Sequence, residues 1–277
     1  MVRIGKLNRL EVVKELDFGM YLDGGDLGEI LLPRRYVPEG LKAGDTIEVF
    51  VFLDSEDRII ATTDRPYAFL GQFAQLKVVS TGTAGAFLDW GLQKDLLVPF
   101  REQKHKMEQG KSYVVFIYLD TKSSRIAASS RIERFLDKHP PGFKPGQEVS
   151  LLVYEQTDIG YKAVINNSHQ GVLYKNEVFQ PLAIGQTVKG YIKKVRDDSK
   201  IDLTLDKPGY EKIEDLSERI LDELRRQGGF ITVTDKSAPE IMYELFGMSK
   251  KTYKKAVGAL YRKRLVTIEP DGIRLNE

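Results

Sequence analysis

The fold is decided by three short stretches that each begin with glycine: GMYLD at 19–23, GAFLD at 85–89 and GYKAV at 160–164. A second glycine follows 25 residues after the first in every case, at Gly44, Gly110 and Gly185. Behind each second glycine come a long apolar strand, a polar turn and a short strand, as in DTIEVFVFLD at 45–54 and RIIATT at 58–63. A spacing that recurs three times indicates three copies of one all-β unit.

Each copy has the size and strand pattern of a small barrel. About five short strands in roughly 65 residues are typical of an OB-fold, whose closure removes exposed strand edges. The long strands at 48–53 and 113–119 are apolar on successive positions, so we expect both of their faces to be covered. We predict three tandem OB-fold β-barrels, at 1–64, 65–142 and 143–209.

The apolar period changes from two to helical after Leu205. A first helix ends at Gly228 and Gly229, and its apolar stripe consists of Ile213, Leu216, Ile220, Leu221 and Leu224. A second helix opens at Ser237 with a capping box, and a third begins at Ser249 and buries Tyr253, Val257, Leu260 and Tyr261. A hairpin follows, with Asp271 and Gly272 in its turn. This order predicts a winged-helix domain at 210–277 and a mainly β fold with an α+β C-terminal domain.

Composition excludes several classes of protein. The 277 residues include no cysteine, so disulfides, thiolate nucleophiles and zinc ribbons are excluded. No apolar run approaches the roughly 18 residues of a membrane span, and we expect a cytoplasmic protein without membrane contact. The three histidines, His105, His139 and His169, lie in different segments, and no catalytic-triad, metal or P-loop spacing is visible. We therefore expect no enzyme, no cofactor and no metal.

The net charge of +2 hides an internal asymmetry. Residues 1–64 carry 8 basic and 13 acidic side chains, a net charge of −5. Residues 65–142 carry 12 basic and 7 acidic side chains, a net charge of +5. A polyanion would therefore be attracted downstream of the first repeat.

The repeats resemble the ribosomal S1-type RNA-binding domain, and three of them followed by a winged helix resemble the bacterial conserved virulence factor B family. In S1 domains, aromatic residues near the first repeat glycine, a histidine, an aspartate and an arginine form the RNA-facing surface. The resemblance assigns this role to Phe18, Tyr21, Asp54 and Arg58 in the first repeat and to Phe87, Asp120 and Arg125 in the second. In the third repeat Lys162 stands at an aromatic position, Tyr174 at the histidine position and Val195 at the aspartate position.

Base stacking on flat rings is the chemistry that these aromatic residues would supply. Tyr21, Phe87, Tyr161 and Tyr174 are the candidates, and alternation leaves open whether Tyr21 and Phe87 pack the barrel instead. We expect the single tryptophan, Trp90, to be structural.

Two basic runs are candidate phosphate-binding surfaces. The first consists of Lys189, Lys193, Lys194, Arg196 and Lys200, and alternation predicts Lys189, Tyr191 and Lys193 on one exposed face. The second belongs to the third helix of the winged domain, where seven Lys or Arg and no acid stand between Met248 and Ile268. Its N-terminal half carries Lys250, Lys251, Lys254 and Lys255. Either run can also be a solvated surface without a ligand.

The sequence itself predicts binding to a polyanion. The resemblance implies an RNA-binding regulator of gene expression after transcription, with single-stranded RNA as its main partner. The third barrel and the winged helix would form the main basic surface, and the acidic first barrel would serve as scaffold or contact a protein partner. Two alternatives stay open. One is a transcription regulator that binds DNA through the winged helix, and the other is a protein-interaction scaffold on the ribosome or a nuclease complex.

Overall fold

The computed structural model describes residues 1–121, 123–139, 142–178, 181–206, 213–234 and 236–276. Three five-stranded β-barrels are followed by a domain of three helices and a small sheet, so the predicted fold class is confirmed. The chain divides into two compact units, residues 1–137 with 184–186 and residues 138–183 with 187–277. The four domain boundaries drawn from the repeats stay a prediction.

The first barrel is closed, with the strand order β1-β2-β3-β5-β4. Its strands are β1 (Leu7–Leu16), β2 (Gly19–Asp23), β3 (Glu29–Pro33), β4 (Thr46–Leu53) and β5 (Ile59–Thr62). Neighbouring strands pair in antiparallel fashion except β3 and β5, which are parallel. Leu10, Val12, Leu22, Ile30 and Val51 fill the interior. This alternation of apolar and polar residues along β1 is what the period of two predicted.

The second barrel is a five-stranded sheet with the order β10-β9-β6-β7-β8. Its strands are β6 (Phe73–Thr81), β7 (Gly85–Asp89), β8 (Leu96–Pro99), β9 (Ser112–Leu119) and β10 (Ile126–Ser129). The third barrel is closed and repeats the strand order of the first. Its strands are β11 (Glu148–Thr157), β12 (Gly160–Ile165), β13 (His169–Tyr174), β14 (Thr187–Val195) and β15 (Ile201–Thr204).

The first glycine of each repeat is required by a close approach of two backbones. Gly19, Gly85 and Gly160 have φ angles of +155°, +150° and +147°. A Cβ atom at these positions would lie 2.3, 2.1 and 2.0 Å from the carbonyl oxygens of Leu32, Val98 and Leu173. Any other residue would push the second and third strands of the barrel apart. The glycine spacing therefore marks the same structural position three times.

Strand β4 is buried on both faces, as the sequence predicted, and the structure gives the cause. Val49 and Val51 point into the first barrel. Phe50 and Phe52 belong to a different core, that of the second barrel, where the Phe50 ring meets Trp90 edge-on at 5.7 Å between ring centroids. The two barrels thus share a hydrophobic core, which makes them one compact unit.

The C-terminal domain has the element order of a winged helix. Its elements are α1 (Ile213–Arg226), β16 (Phe230–Ile231), α2 (Pro239–Phe246), α3 (Lys250–Arg262), β17 (Val266–Glu269) and β18 (Gly272–Leu275). The sheet order is β16-β18-β17. None of the helices in the described part of the chain is long and apolar enough to cross a membrane.

Most of the predicted helical stripes are buried, with three corrections. Leu216, Ile220 and Leu224 lie in the core of the domain, Leu221 packs against it, and the side chain of Ile213 lies outside the described residues. The capping box at Ser237 is wrong, because the Ser237 hydroxyl accepts from the Thr234 amide and Ala238 precedes the helix. Tyr261 is 55% exposed, and the buried stripe of the third helix contains Ala256 instead. The hairpin turn consists of Pro270 and Asp271, and Gly272 already begins β18.

Candidate nucleic-acid interface

The first barrel carries an aromatic pair where β1 turns into β2, with Phe18 exposed in the turn and Tyr21 half-buried on β2. Phe18 is 56% exposed, and its ring meets that of Tyr21 edge-on at 6.3 Å between centroids. The Lys14 ammonium lies 4.8 Å from the centroid of Tyr21 and forms an ion pair of 2.5 Å with Glu29. Two rings and a cation on one surface are the groups that base stacking and phosphate binding require.

Arg58 lies in the β4–β5 turn, and acidic residues of the same turn bind its guanidinium. Its Nε donates to Asp54 Oδ2 at 2.8 Å, and its guanidinium is 3.2 Å from Glu56. The hydrogen bond to Asp54 raises the pKa of Arg58 above its ordinary value. Arg58 therefore stabilises the hairpin turn as well as being a candidate for phosphate binding.

In the second barrel the two predicted residues, Phe87 and Arg125, line one cavity of about 320 Å³. Trp90 also lines it and is 3% exposed, so the predicted structural role is confirmed. The Trp90 Nε1 donates to the Lys94 carbonyl at 2.6 Å. Phe52, on β4 of the first barrel, forms part of the wall. The cavity is thus built jointly by the first two barrels.

Arg125 is held by a carboxylate that the sequence pattern did not indicate. Its Nε and Nη2 donate to Asp57 Oδ1 and Oδ2 at 2.6 and 2.5 Å, so the pair is bidentate. Hydrogen bonding to Asp57 raises the pKa of Arg125, and the same contact lowers the pKa of Asp57. Asp57 lies in the β4–β5 turn of the first barrel, 68 residues away in the chain. A contact between two repeats cannot be predicted from the strand pattern within one repeat.

Lys94 is a second residue that the sequence analysis missed. Its ammonium donates to the carbonyl oxygens of Leu53 and Asp54 at 2.9 and 2.6 Å, which ties the second barrel to the hairpin turn of the first. Burial lowers the pKa of Lys94, and the nearby Arg125 charge lowers it further. Lys94 and Arg125 therefore place two positive charges at the cavity, and both are anchored to the first barrel.

The third barrel brings together Tyr174 and Arg196, which the sequence analysis had placed in two separate candidate groups. Arg196 donates to the Tyr174 hydroxyl, which itself donates to Asp202 Oδ1 at 3.2 Å. The guanidinium is also 2.8 Å from Asp202 and 5.8 Å from the centroid of the Tyr174 ring. Val195 stands where S1 domains carry the aspartate, and Asp202 on β15 supplies a carboxylate instead. The sequence analysis missed this residue because it lies on the following strand.

The other two predicted residues of this barrel are less available. Tyr161 packs against the barrel core and is half-buried. The Lys162 ammonium forms an ion pair of 2.7 Å with Glu155 on the neighbouring strand. Neither side chain presents a free surface for stacking.

The β14–β15 basic stretch, which we define as Lys189, Lys193, Lys194, Arg196 and Lys200, is largely neutralised by carboxylates. Lys189 pairs with Glu148 at 2.9 Å, Lys193 with Glu177, Arg196 with Asp202 and Lys200 with Asp198 at 2.9 Å. Of the five, only Lys194 has no such partner among the described residues.

The prediction that Tyr191 shares an exposed face with the lysines is wrong. Tyr191 is 8% exposed and lies opposite Glu148 on β11, and its hydroxyl donates to Glu148 at 3.4 Å. A bulge between Ile192 and Lys194 also interrupts the strict alternation of β14. The alternation argument therefore fails on this strand.

The α3 lysine cluster, which we define as Lys250, Lys251, Lys254 and Lys255, occupies the first half of a helix whose sequence holds no acidic residue. The Ser249 hydroxyl caps the helix by accepting from the Thr252 amide at 3.2 Å. Lys251, Lys254 and Lys255 are exposed. Lys250 is half-buried, and its ammonium donates to the Ser237 carbonyl at 2.9 Å. Three of the four lysines thus project from the helix surface.

Metal-binding chemistry has no counterpart in the described residues, where no group of three or more His, Asp or Glu side chains lies close enough to hold an ion. The acidic residues Asp197 and Asp198 lie in the β14–β15 turn, and Asp198 binds Lys200. His169 is engaged on both ring nitrogens, by Ser168 Oγ at 2.9 Å and the His139 carbonyl at 3.3 Å.

Comparison with known protein families assigns the domains. An S1 domain model matches residues 4–64 and 70–130, which contain the first two barrels. A CvfB-like winged helix domain model matches residues 218–275. S1 and winged-helix domains are nucleic-acid-binding folds rather than enzyme folds.

Relatives resemble the chain over nearly its whole length. A "Conserved virulence factor B" of Staphylococcus epidermidis is 25% identical, covering 99% of this chain and 95% of that protein. One of Staphylococcus aureus is 26% identical, covering 99% and 94%. A crystal structure of a multidomain protein with nucleic acid binding domains from Streptococcus pneumoniae is 23% identical with a TM-score of 0.42, covering 99% of this chain and 98% of that one. By its S1 domains, its winged helix and these full-length relatives, the chain belongs to the conserved virulence factor B family.

Proposed function

We propose that this protein binds single-stranded RNA and regulates gene expression after transcription. The observation that carries the proposal is that each barrel holds an aromatic ring together with a cation, in contact in the first and third barrels and at one cavity in the second. Lys14 lies over Tyr21 in the first, Arg196 lies over Tyr174 in the third, and Phe87 and Arg125 share a cavity in the second. The rings can stack on bases, which suits an unpaired strand. The cations beside them are held by Glu29, Asp202 and Asp57 and would exchange these carboxylates for phosphates.

The positive charge of the winged helix supports the same proposal. Lys251, Lys254 and Lys255 are exposed at the start of α3, the part of a winged helix that meets phosphates or enters a groove. This cluster also favours a second candidate function, binding of duplex DNA through the winged helix alone. The two candidates differ in whether the barrel aromatics are needed.

The test is fluorescence-anisotropy binding of the full-length protein to single-stranded RNA, single-stranded DNA and duplex DNA over a salt series. We expect single-stranded RNA to bind most tightly, with an affinity that falls as salt rises. The double variant F18A/Y21A removes the exposed pair of the first barrel and should weaken RNA binding about fivefold or more, since stacking contributes roughly 1–3 kcal/mol per base. Tyr67→Ala, at an exposed tyrosine between β5 and β6, is the matched control and should have little effect.

Each other outcome selects a different function. A preference for duplex DNA that is insensitive to F18A/Y21A would replace the RNA proposal with the DNA-binding one. Absence of binding to all three nucleic acids would contradict both and leave a protein-interaction scaffold, with a partner on the acidic first barrel, as the hypothesis to pursue.

A further inference from the structure

The small sheet of the winged-helix domain ends in a strand whose outer edge is open. In the order β16-β18-β17, β17 pairs with β18 on one side and is the last strand of the described sheet on the other. The Leu265 carbonyl, just before β17, accepts from the Asn276 amide, which follows β18. Because backbone groups alternate along a strand, the amides and carbonyls of Val266 and Ile268 point away from β18. They form a row of donors and acceptors with which a further strand can pair.

The edge of β17 lacks the features by which proteins usually protect an open strand. Proline, charged side chains and bulges commonly prevent the addition of another strand. Residues 265–268 contain neither proline nor charge, and the register with β18 is regular. Leu265 is 40% exposed and Ile268 is 53% exposed, although both are apolar. The strand at the opposite edge, β16, has only two residues. The edge of β17 therefore offers apolar surface together with outward backbone groups.

The residues on either side of β17 are opposite in charge. Arg262, Lys263 and Arg264 precede the strand, and Asp271 follows it in the hairpin turn. Lys263 and Asp271 are both exposed. In an antiparallel pair of two identical strands, the beginning of one strand lies beside the end of the other. The basic end of one β17 would thus meet the acidic end of a second β17, and the two-fold symmetry would repeat this contact.

Backbone geometry favours one register for such a pair. Val266 and Ile268 carry the outward groups, so the amides and carbonyls of both chains are satisfied when Val266 of each chain lies opposite Ile268 of the other. The two-fold axis then passes beside Thr267, and each Thr267 lies opposite its copy. In this register Lys263 of one chain lies opposite Asp271 of the other. The register that satisfies the backbone is thus also one that brings opposite charges together.

We propose that β17 is a self-association site, at which a second copy of this chain adds its own β17 in antiparallel orientation to form one continuous sheet. The inference goes beyond nucleic-acid binding and does not depend on it. The paired chains would present two α3 lysine clusters to one polyanion, so that binding of the first raises the effective concentration of the second. A strand edge of this length buries less than the roughly 1,200–2,000 Å² of a stable interface, and the association is therefore reversible and in the micromolar range.

Sedimentation velocity of the full-length protein without nucleic acid tests the proposal. The measurement covers protein concentrations from about 1 to about 200 µM, which bracket a micromolar dissociation constant. We expect a reversible shift with concentration from the 31.5 kDa monomer to twice that mass. A monomer over the whole range would overturn the proposal.

A lysine on the edge tests whether β17 is the contact. Ile268→Lys places a charge in the middle of the paired segment, at a side chain that is exposed in the single chain, and should weaken the association about tenfold or more. Ile241→Lys, at an exposed isoleucine of α2 in the same domain, adds the same charge and should leave the association unchanged. Equal effects of the two variants would show that net charge alone is responsible and would overturn the assignment to β17.

An exchange of charges tests the register and does not depend on the folding of any one variant. Lys263→Glu alone or Asp271→Lys alone places like charges opposite each other and should weaken the association about fivefold or more. The double variant K263E/D271K restores the attraction and should return the dissociation constant to within about threefold of the native value. Lys236→Glu, at an exposed lysine before α2, is the control for Lys263→Glu and should have little effect. A double variant that associates no better than the single ones would overturn the antiparallel pairing.

Discussion

The β14–β15 basic stretch and the α3 lysine cluster look alike in the sequence and differ in the structure. The first has five cations within twelve residues and the second has four within six. In the third barrel four of the five are paired with carboxylates from the same domain. In the winged helix the first half of α3 exposes Lys251 and Lys255 on an element that contains no acid.

The difference matters because a cation that already has a carboxylate partner contributes less binding free energy when it meets a phosphate. Such a cation must exchange one anion for another, and its own counterions have already been displaced by the carboxylate. A cation that has no carboxylate partner gives up no such contact when it binds a phosphate and releases condensed counterions from the nucleic acid. The number of lysines in a segment therefore overstates its affinity for nucleic acid when acids lie across the neighbouring strands.

The largest effect is expected from the double variant K251Q/K255Q. If each lysine meets one phosphate, the slope of log affinity against log salt should fall by about 1.4, since each contact contributes roughly 0.7 on a single strand. At about 0.1 M salt this corresponds to a loss of roughly 10- to 30-fold in RNA affinity. Anisotropy over a salt series measures both quantities. An unchanged slope would mean that α3 does not meet phosphates and would remove the contrast between the two regions.

A gain of affinity is expected when the acids of the third barrel are neutralised. The double variant E148Q/E177Q removes the charges that bind Lys189 and Lys193 while keeping similar side-chain shapes. The freed lysines should raise RNA affinity about 3- to 10-fold and steepen the salt dependence by roughly one unit. Glu240→Gln with Glu244→Gln, at two exposed or half-exposed acids of α2, makes the same change of net charge away from the stretch. A gain of equal size in that control would show that net charge alone is responsible.

The sequence predicted the fold well because the repeat depends on backbone geometry that only glycine allows. A Cβ atom at Gly19, Gly85 or Gly160 would clash with a carbonyl oxygen of the neighbouring strand, so only glycine fits and the position can be recognised in the sequence. Period-two and helical patterns likewise reflect one face of one element. Such local constraints are sufficient for three barrels and a winged helix.

The candidate sites were predicted less completely because their partners lie across strands and between repeats. Phe87 and Arg125 were predicted and share a cavity, whereas Asp57 and Lys94 come from a contact between barrels. The pairing of Lys193 with Glu177 depends on which strand of the closed barrel lies beside which. Strand register and β-bulges determine such contacts, and neither can be read from the local sequence pattern.

The smallest effect is expected from the double variant K189Q/K193Q, which matches the α3 variant in charge. Each of these lysines is bound to a carboxylate, so its removal takes away a cation and leaves the acid exposed to water. RNA affinity should fall less than about threefold and the salt slope should change by less than one unit, since exposed ion pairs contribute little. The measurement is the same salt series. A loss equal to that of K251Q/K255Q would mean that RNA displaces Glu148 and Glu177 at little cost, and the count of basic residues would then be the better guide to the interface.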